Sequence, residues 1–391
     1  MAKAISALIN LDILRWARSF MKLDLDYVAE KAGIKPEELN EWEGGKASPT
    51  ISQLRKIAKV YKFSIAVFYL PKPPNLRIPH PRDRRLLPGF EQWGISPELS
   101  FEFRWAGERR EIALELLENT GAKPKPLIVQ ASIQDAPESV GGLLREMLGI
   151  TYEEQTSWHD ARVALNAWRN RVEQLDILVF QAGEVSLRDM RGYSMLFDVL
   201  PIIGLNRKDT YNARSFTLLH EMTHLLLRME SLCDLEQDDG DISSTDKSVE
   251  VFCNAVAGCT LVPGECLKNE GLIATAIEMG EEGERAIGNL SRKYCVSREV
   301  IVRRMLTLEL VDERFYRIKR QKYSREYAVI KRSSGGFMHP VGDAFSASGA
   351  SFVGLVVENL NRGFITTSDF SNFLRLKLKH LAQIQDSFLQ T

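Results

Sequence analysis

The amino-acid sequence predicts an α+β protein. It should comprise an all-α N-terminal unit of five helices, a mainly helical domain with a small antiparallel or mixed sheet, and a short helical C-terminal region. Three observations carry this expectation. Apolar residues recur at three- and four-residue spacing over most of the chain, as helices with one buried face require. Runs rich in β-branched and aromatic residues gather between 177 and 206. Residues 71–89 hold six of the fifteen prolines, so no helix crosses that stretch and the N-terminal unit stands apart from the rest of the chain.

The elements follow in order. Short helical patterns separated by turn signals fill residues 1–70. In the second and third of them, Val28, Ala29 and Ala32 line one helix, Gly33 permits a sharp turn, Ile34 plugs the corner, and Pro36 opens a helix whose Leu39 and Trp42 face inward. Thr50-x-x-Gln53 is a capping box that starts the next helix through Leu54, Ile57 and Ala58. The linker at 71–94 is rich in proline and carries Arg82, Arg84 and Arg85. The main domain is expected at 95–325. It begins with helical patterns in Ile112–Leu117, Val140–Leu148 and Ala161–Leu175, continues with strands at Ile177–Gln181, Tyr193–Asp198 and Leu200–Asn206 broken by Gly183 and Gly192, and returns to helices near Ser215–Met229, Ser248–Cys259 and 285–310. An acidic loop separates the first two of these. A glycine- and serine-rich break then leads into the C-terminal region, 326–391, with two or three short helices.

Composition narrows the function classes. The 391 residues carry 51 Lys+Arg against 52 Asp+Glu, with 44% apolar and 26% charged residues, which excludes disordered, collagenous and low-complexity classes. The charge is unevenly spread: residues 1–89 hold 16 basic and 9 acidic side chains, leaving 35 and 43 for the remainder, so +7 is joined to −8. No apolar run is long enough to span a bilayer, and Met1–Asn10 lacks the features of a signal peptide, so no membrane contact and a cytoplasmic location are expected. Five cysteines without a C-x-x-C pair suit reduced core thiols.

The sharpest motif is Phe216-Thr217-Leu218-Leu219-His220-Glu221-Met222-Thr223-His224-Leu225. Residues four apart share a helix face, so His220 and His224 can present imidazole nitrogens to one Zn²⁺, and Glu221 beside them can reach a metal-bound water. Leucines on either side would bury this helix, and the strand at Leu200–Asn206 stands where an edge strand could align an extended substrate. A third ligand is needed. Glu230, still on the helix and about 240° round from His224, points away. The acidic loop (Asp234, Glu236, Asp238, Asp239, Asp241 and Asp246) lacks a rigid mount and the spacing of a calcium loop. Glu250, near the start of the next helix, is the better choice, with Asn254 one turn on supporting the site from behind. Tyr211 and Arg214 read as packing or capping residues, and His80, His159, His339 and His380 as scattered structural histidines.

Two resemblances sharpen these readings. The small residue before the turn, Gly33, and Trp42-Glu43-x-Gly45 near the end of the second helix resemble the XRE, or phage-repressor-like, helix-turn-helix family over residues 11–70. The resemblance implies DNA contact, in which Asn40 could read adenine while Lys35, Lys46 and Arg55 hold phosphates. Glu37, Glu38, Glu41 and Glu43 on the same helix oppose approach to phosphates, which leaves a helix-turn-helix reused for protein binding as the competing reading. In turn, F-T-L-x-H-E-x-x-H-L followed by E-x-x-C-N-x-V-A-x-x-x-L-V-P resembles the ImmA/IrrE metallopeptidases, with Cys253 where that family has Ala and Val256 where it has Phe. The likeness spans roughly 11–310, and Phe345–Leu381 is similar to the tail of longer members.

The resemblance implies a zincin-like domain with Zn²⁺ held by His220, His224 and Glu250. Glu221 would pass a proton from water to the leaving amine. It further implies a regulatory endopeptidase acting on a protein substrate such as a transcriptional repressor. The alternative is a DNA-binding, antitoxin-like regulator whose zinc domain senses a ligand or serves structure. An oligomer is compatible with either.

Overall fold

A computed structural model describes residues 6–75, 96–228, 231–233, 244–330 and 339–389. Of four helices, α1 (Leu11–Phe20), α2 (Leu25–Ala32), α3 (Pro36–Glu43) and α4 (Ile51–Val60), three start where the sequence supplies a side-chain cap, and α3 opens at Pro36. Asn10 accepts from the Asp12 amide, Asp24 from the Asp26 amide, and Thr50 and Gln53 satisfy each other's backbone as a capping box. Gly33 ends α2 in the left-handed region (φ 64°), a conformation cheap only without a Cβ, and turns the chain into α3. The fifth expected helix is a short 3-10 turn, Ile65–Tyr69. Ile13, Leu14, Val28, Leu39, Trp42, Leu54, Ile57 and Phe68 form the core of this unit.

One carboxylate of α3 departs from expectation. Glu43 is buried, and its side chain accepts two hydrogen bonds from Arg18 (2.7 and 2.8 Å), while Arg15 donates to its backbone carbonyl. It holds α3 to α1 and leaves Glu37, Glu38 and Glu41 on the surface, with Glu38 turned back to cap the Lys35 amide.

Helix α5 (Pro97–Thr120) counts with this first unit through Gly107 and with the second unit from Glu108. Phe101 packs against the helix-turn-helix core, so the domain line expected at residue 95 falls before residues whose contacts lie with the first unit. The linker is described only to residue 75, and Arg82, Arg84 and Arg85 lie outside the described residues.

The second unit opens with α6 (Pro137–Leu148), α7 (Tyr152–Ser157) and α8 (Ala161–Glu173), then three strands, β1 (Leu178–Ala182), β2 (Gly192–Met195) and β3 (Ile202–Asn206). Helix α9 (Tyr211–Leu226) follows, then β4 (Ser231–Cys233) and α10 (Ser244–Leu261). The sheet has the order β1-β3-β2-β4, with β1 and β3 parallel and the other pairs antiparallel. It is therefore the small mixed sheet of an α+β fold. β3 is an interior strand paired on both sides, so the edge expected at Leu200–Asn206 is instead at β1 and β4. Beyond α10 run α11 (Gly264–Lys268), α12 (Ile273–Ala276), α13 (Glu281–Tyr294), α14 (Arg298–Thr307) and α15 (Glu313–Ile330).

Helix α9 lies in the middle of this unit, packed against α8, α10, β2 and β3. Leu218, Leu219, Met222, Leu225 and Leu226 are buried with Trp168, Ile203, Leu205, Phe252 and Val256 in one core. The C-terminal region forms α16 (Pro340–Ser348), α17 (Ala350–Asn361), α18 (Thr367–Leu374) and α19 (Leu381–Leu389), and α16 packs on β1. A buried ion pair, Arg169–Glu173 (2.8 Å), anchors it: Arg169 donates to the Phe345 and Ser346 carbonyls and to Val179 of β1, and Glu173 accepts from the Ser351 amide. Among the described residues no single helix is long and apolar enough to cross a membrane. Cys253, Cys259 and Cys295 are buried free thiols and Cys266 is half-buried.

Candidate metal centre

The sequence places α9 under the sheet by capping and by charge. Thr210 caps it by accepting from the Ala213 amide (3.2 Å), and Asp209 just before it forms a buried ion pair with Arg191 at the entry to β2 (2.8 Å). Being covered on every side, α9 should be apolar throughout. It instead buries His220, Glu221, Thr223 and His224 completely or nearly so. Thr223 is satisfied within the helix, donating to the Leu219 carbonyl (2.8 Å). Buried histidines require partners too, and they find them on α10.

Glu250 reaches both histidines. Its Oε2 lies 3.3 Å from His220 Nε2, its Oε1 lies 3.2 Å from His224 Nε2, and the two Nε2 atoms are 3.1 Å apart. These three residues are the group of possible metal ligands found among the described residues. Two donors bound tetrahedrally at zinc distances lie about 3.3 Å from each other, so this N₂O set has the edge lengths that zinc requires, and its chemistry matches a site that keeps a fourth position open. Access is on the α10 side: the Glu250 side chain is 40% exposed, against 0% and 3% for the histidines.

The surroundings tune the set. His220 Nδ1–H donates to Asn254 Oδ1 (3.0 Å), which leaves Nε2 as the free lone pair facing Glu250. Burial would raise the Glu250 carboxyl, but the two imidazoles beside it, His220 and His224, outweigh it and hold the group well below the usual carboxylate range. Burial works against a charged His224, while Cys253 and Glu250 beside it push that imidazole up to about 10. Glu221 follows His220 on the helix, is fully buried, and by its three-residue spacing shares a side of α9 with His224.

The structure thus brings together His220, His224, Glu250 and Asn254, with Glu221 adjacent. Glu230 and the acidic loop at 234–243 lie outside the described residues. Helix α9, expected to run to Met229, ends at Leu226, and Arg228 takes a left-handed conformation (φ 57°). Arg214 is buried, donates to Gln181 (2.5 Å) and lies over the Tyr211 ring. His80 is outside the described residues. His159 is exposed, and His339 and His380 face each other in the C-terminal region. In the first unit Lys35, Asn40, Lys46 and Arg55 are all exposed.

Sequence reasoning read Gly192 as a strand breaker, but it is the first residue of β2 and lies against α9 beside Glu221. It also missed the pairs Arg191–Asp209 and Arg169–Glu173, since separations of 18 residues and of one helical turn carry no motif.

A model of the IrrE N-terminal-like domain, Peptidase M78, matches residues 172–306, and a helix-turn-helix model matches residues 14–68. No curated protein matches the chain. The first match contains β1 to β4, α9 and α10, hence every residue of the centre, and the second contains α2, Gly33 and α3. The chain therefore carries an N-terminal helix-turn-helix domain of the XRE type and an IrrE/ImmA-like Peptidase M78 domain.

Proposed function

We propose that this chain is a zinc-dependent, site-specific endopeptidase with a regulatory role, cleaving a transcriptional repressor or similar regulatory protein in the cytoplasm. The observation that carries this reading is the convergence of His220, His224 and Glu250 within 3.3 Å, with a buried carboxylate, Glu221, alongside. A purely structural site would have no use for that second carboxylate in a core helix, where burying it costs free energy.

Zinc, held by His220, His224 and Glu250, would supply Lewis-acid polarisation of the peptide carbonyl and acidify water. The chain's own residues do the rest. Asn254 fixes the tautomer and ring plane of His220. Glu221 takes the proton from the attacking water on its carboxylate and returns it to the leaving amine. The fully buried histidines exclude solvent from one side, so the scissile bond enters past Glu250.

The helix-turn-helix unit would contribute targeting, through DNA or through the substrate protein. Exposure of Lys35, Asn40, Lys46 and Arg55 favours a second reading, a DNA-binding regulator whose zinc domain senses or stabilises. Affinity for the chain's own promoter DNA at two salt concentrations separates them; absence of binding at low salt removes the second reading.

Expressing the Glu221→Gln chain and analysing what co-purifies tests the first. A single zinc per chain and a trapped, uncut protein are expected. Metal-free protein in zinc-supplemented medium would overturn it.

A further inference from the structure

The carboxylate of Glu221 is met from the sheet side by a residue without a side chain. Gly192 is buried at the start of β2, paired with Leu205 of β3 and Cys233 of β4. A Cβ at this position would lie 2.3 Å from Thr217 Cγ2, 3.0 Å from Glu221 Oε1 and 3.2 Å from the Gly204 carbonyl oxygen. Thr217 and Glu221 are one turn apart on α9, so the glycine backbone lies on the face those two residues share.

The two partners yield differently. Thr217 is buried and, β-branched on a helix, has few rotamers to retreat into, whereas the Glu221 carboxylate ends a longer, flexible side chain and is the group that shifts. The strand is held firmly. Arg191, the preceding residue, is pinned by Asp209 (2.8 Å), and its carbonyl accepts from the Asn206 amide (2.8 Å). The Asn206 side chain donates to the Met190 carbonyl (2.7 Å) and ties down the loop that leads in. Thr217, His220, Glu221 and His224 share one side of α9, but the three atoms nearest a Cβ at 192 belong to Thr217, Glu221 and Gly204, and none to a metal ligand.

We propose that Gly192 is a positioning residue for Glu221: the β2 backbone is the stop that sets where the carboxylate sits beside the metal ligands. This rests on Glu221 being the proton acceptor of the hydrolytic reading. Helix spacing alone puts Glu221 near the ligands, and the strand then selects its position within that space. A single methyl at 192 displaces the carboxylate, and no atom of a ligand is among the three nearest to it.

The test uses the full zinc-loaded chain as wild type, Gly192→Ala, and Gly192→Ala with Thr217→Ser, which removes the methyl at 2.3 Å and relieves the packing clash. Four quantities are read: melting temperature, zinc affinity by chelator competition, the ¹³C carboxyl resonance of Glu221 identified by its loss in Glu221→Gln, and kcat and KM on the protein trapped by that variant. Zinc affinity should stay within about twofold in both variants. The Glu221 resonance should be displaced in both, and kcat should fall about 100-fold with KM little changed, the scale of a misplaced reacting group. The double variant should recover melting temperature and leave kcat low.

A Glu221 resonance at its wild-type position in either folded variant would overturn the proposal. So would return of both resonance and kcat to wild type in the double variant, which would assign the whole effect to Thr217. Failure of the hydrolytic reading is distinguishable, because a wild type that binds no zinc and cuts nothing still shows whether the resonance moves.

Discussion

Asn254 does for His220 what an orienting carboxylate does in many metal sites: by accepting the Nδ1 proton at 3.0 Å it leaves Nε2 as the ligand atom. Replacing Asn254 by Ala should lower zinc affinity about 10- to 100-fold with the melting temperature of the metal-free chain little changed, read by chelator competition. An unchanged affinity would mean that α10 packing alone orients the ring. Asn254 and Glu250 were legible because both positions obey the same helical spacing, one turn apart, that links His220 to His224. Gly192 was not legible, because its contact with Glu221 depends on which residue of a strand crosses which turn of a helix 29 positions later, and no local pattern encodes that register. Glu43 was read as a surface acid from its helix, yet its orientation is set by Arg18, 25 residues earlier.

At the scale of elements, two buried ion pairs do the joining that the apolar pattern does not reveal. The Arg18–Glu43 bond ties α3 to α1, and Glu43→Ala should destabilise the helix-turn-helix unit by about 1.5–3 kcal/mol, the range for hydrogen bonds to a charged group, measured by chemical denaturation. In the second unit, removing Glu173 would leave Arg169 buried and uncompensated between α8, β1 and the junction of α16 with α17. Glu173→Ala should cost about 3–5 kcal/mol and expose the C-terminal helices to limited proteolysis before the rest of the chain. Helix existence was well read from periodicity, since α6, α8, α9 and α10 each fall where the apolar spacing placed them. Strand order was not: the run at Leu200–Asn206 became an interior strand because β1 pairs with it in parallel, a long-range choice that strand composition leaves open.

Across the whole molecule, the near-zero net charge conceals two regions of opposite sign, and each carries its own dependence on conditions. If Lys35, Lys46 and Arg55 are the phosphate contacts, the logarithm of DNA affinity should fall with the logarithm of salt at a slope of about −3, and a slope near zero would assign α3 to protein binding. The second unit should respond to acid. Burial opposes ionisation of Glu138, Glu270 and Glu284, but hydrogen bonds and cations hold all three below the usual carboxylate range: Cys259, the Gly264 amide and Arg304 for Glu138, Lys293 with Tyr152 and Tyr294 for Glu270, and Lys319 and Lys322 for Glu284. A folded-state value below the unfolded one means the stabilisation is present above about pH 4.5 and lost as pH falls through the lower value. Melting temperature should therefore drop steeply below about pH 4.5, and Glu270→Gln should flatten part of that drop. Whether His220, His224 and Glu250 hold zinc for hydrolysis by Glu221 is decided by cleavage of the trapped protein by wild-type and Glu221→Gln chains of equal zinc content. A single cut by the wild type and none by the variant is expected; cutting at equal rates would mean that Glu221 is not the proton acceptor.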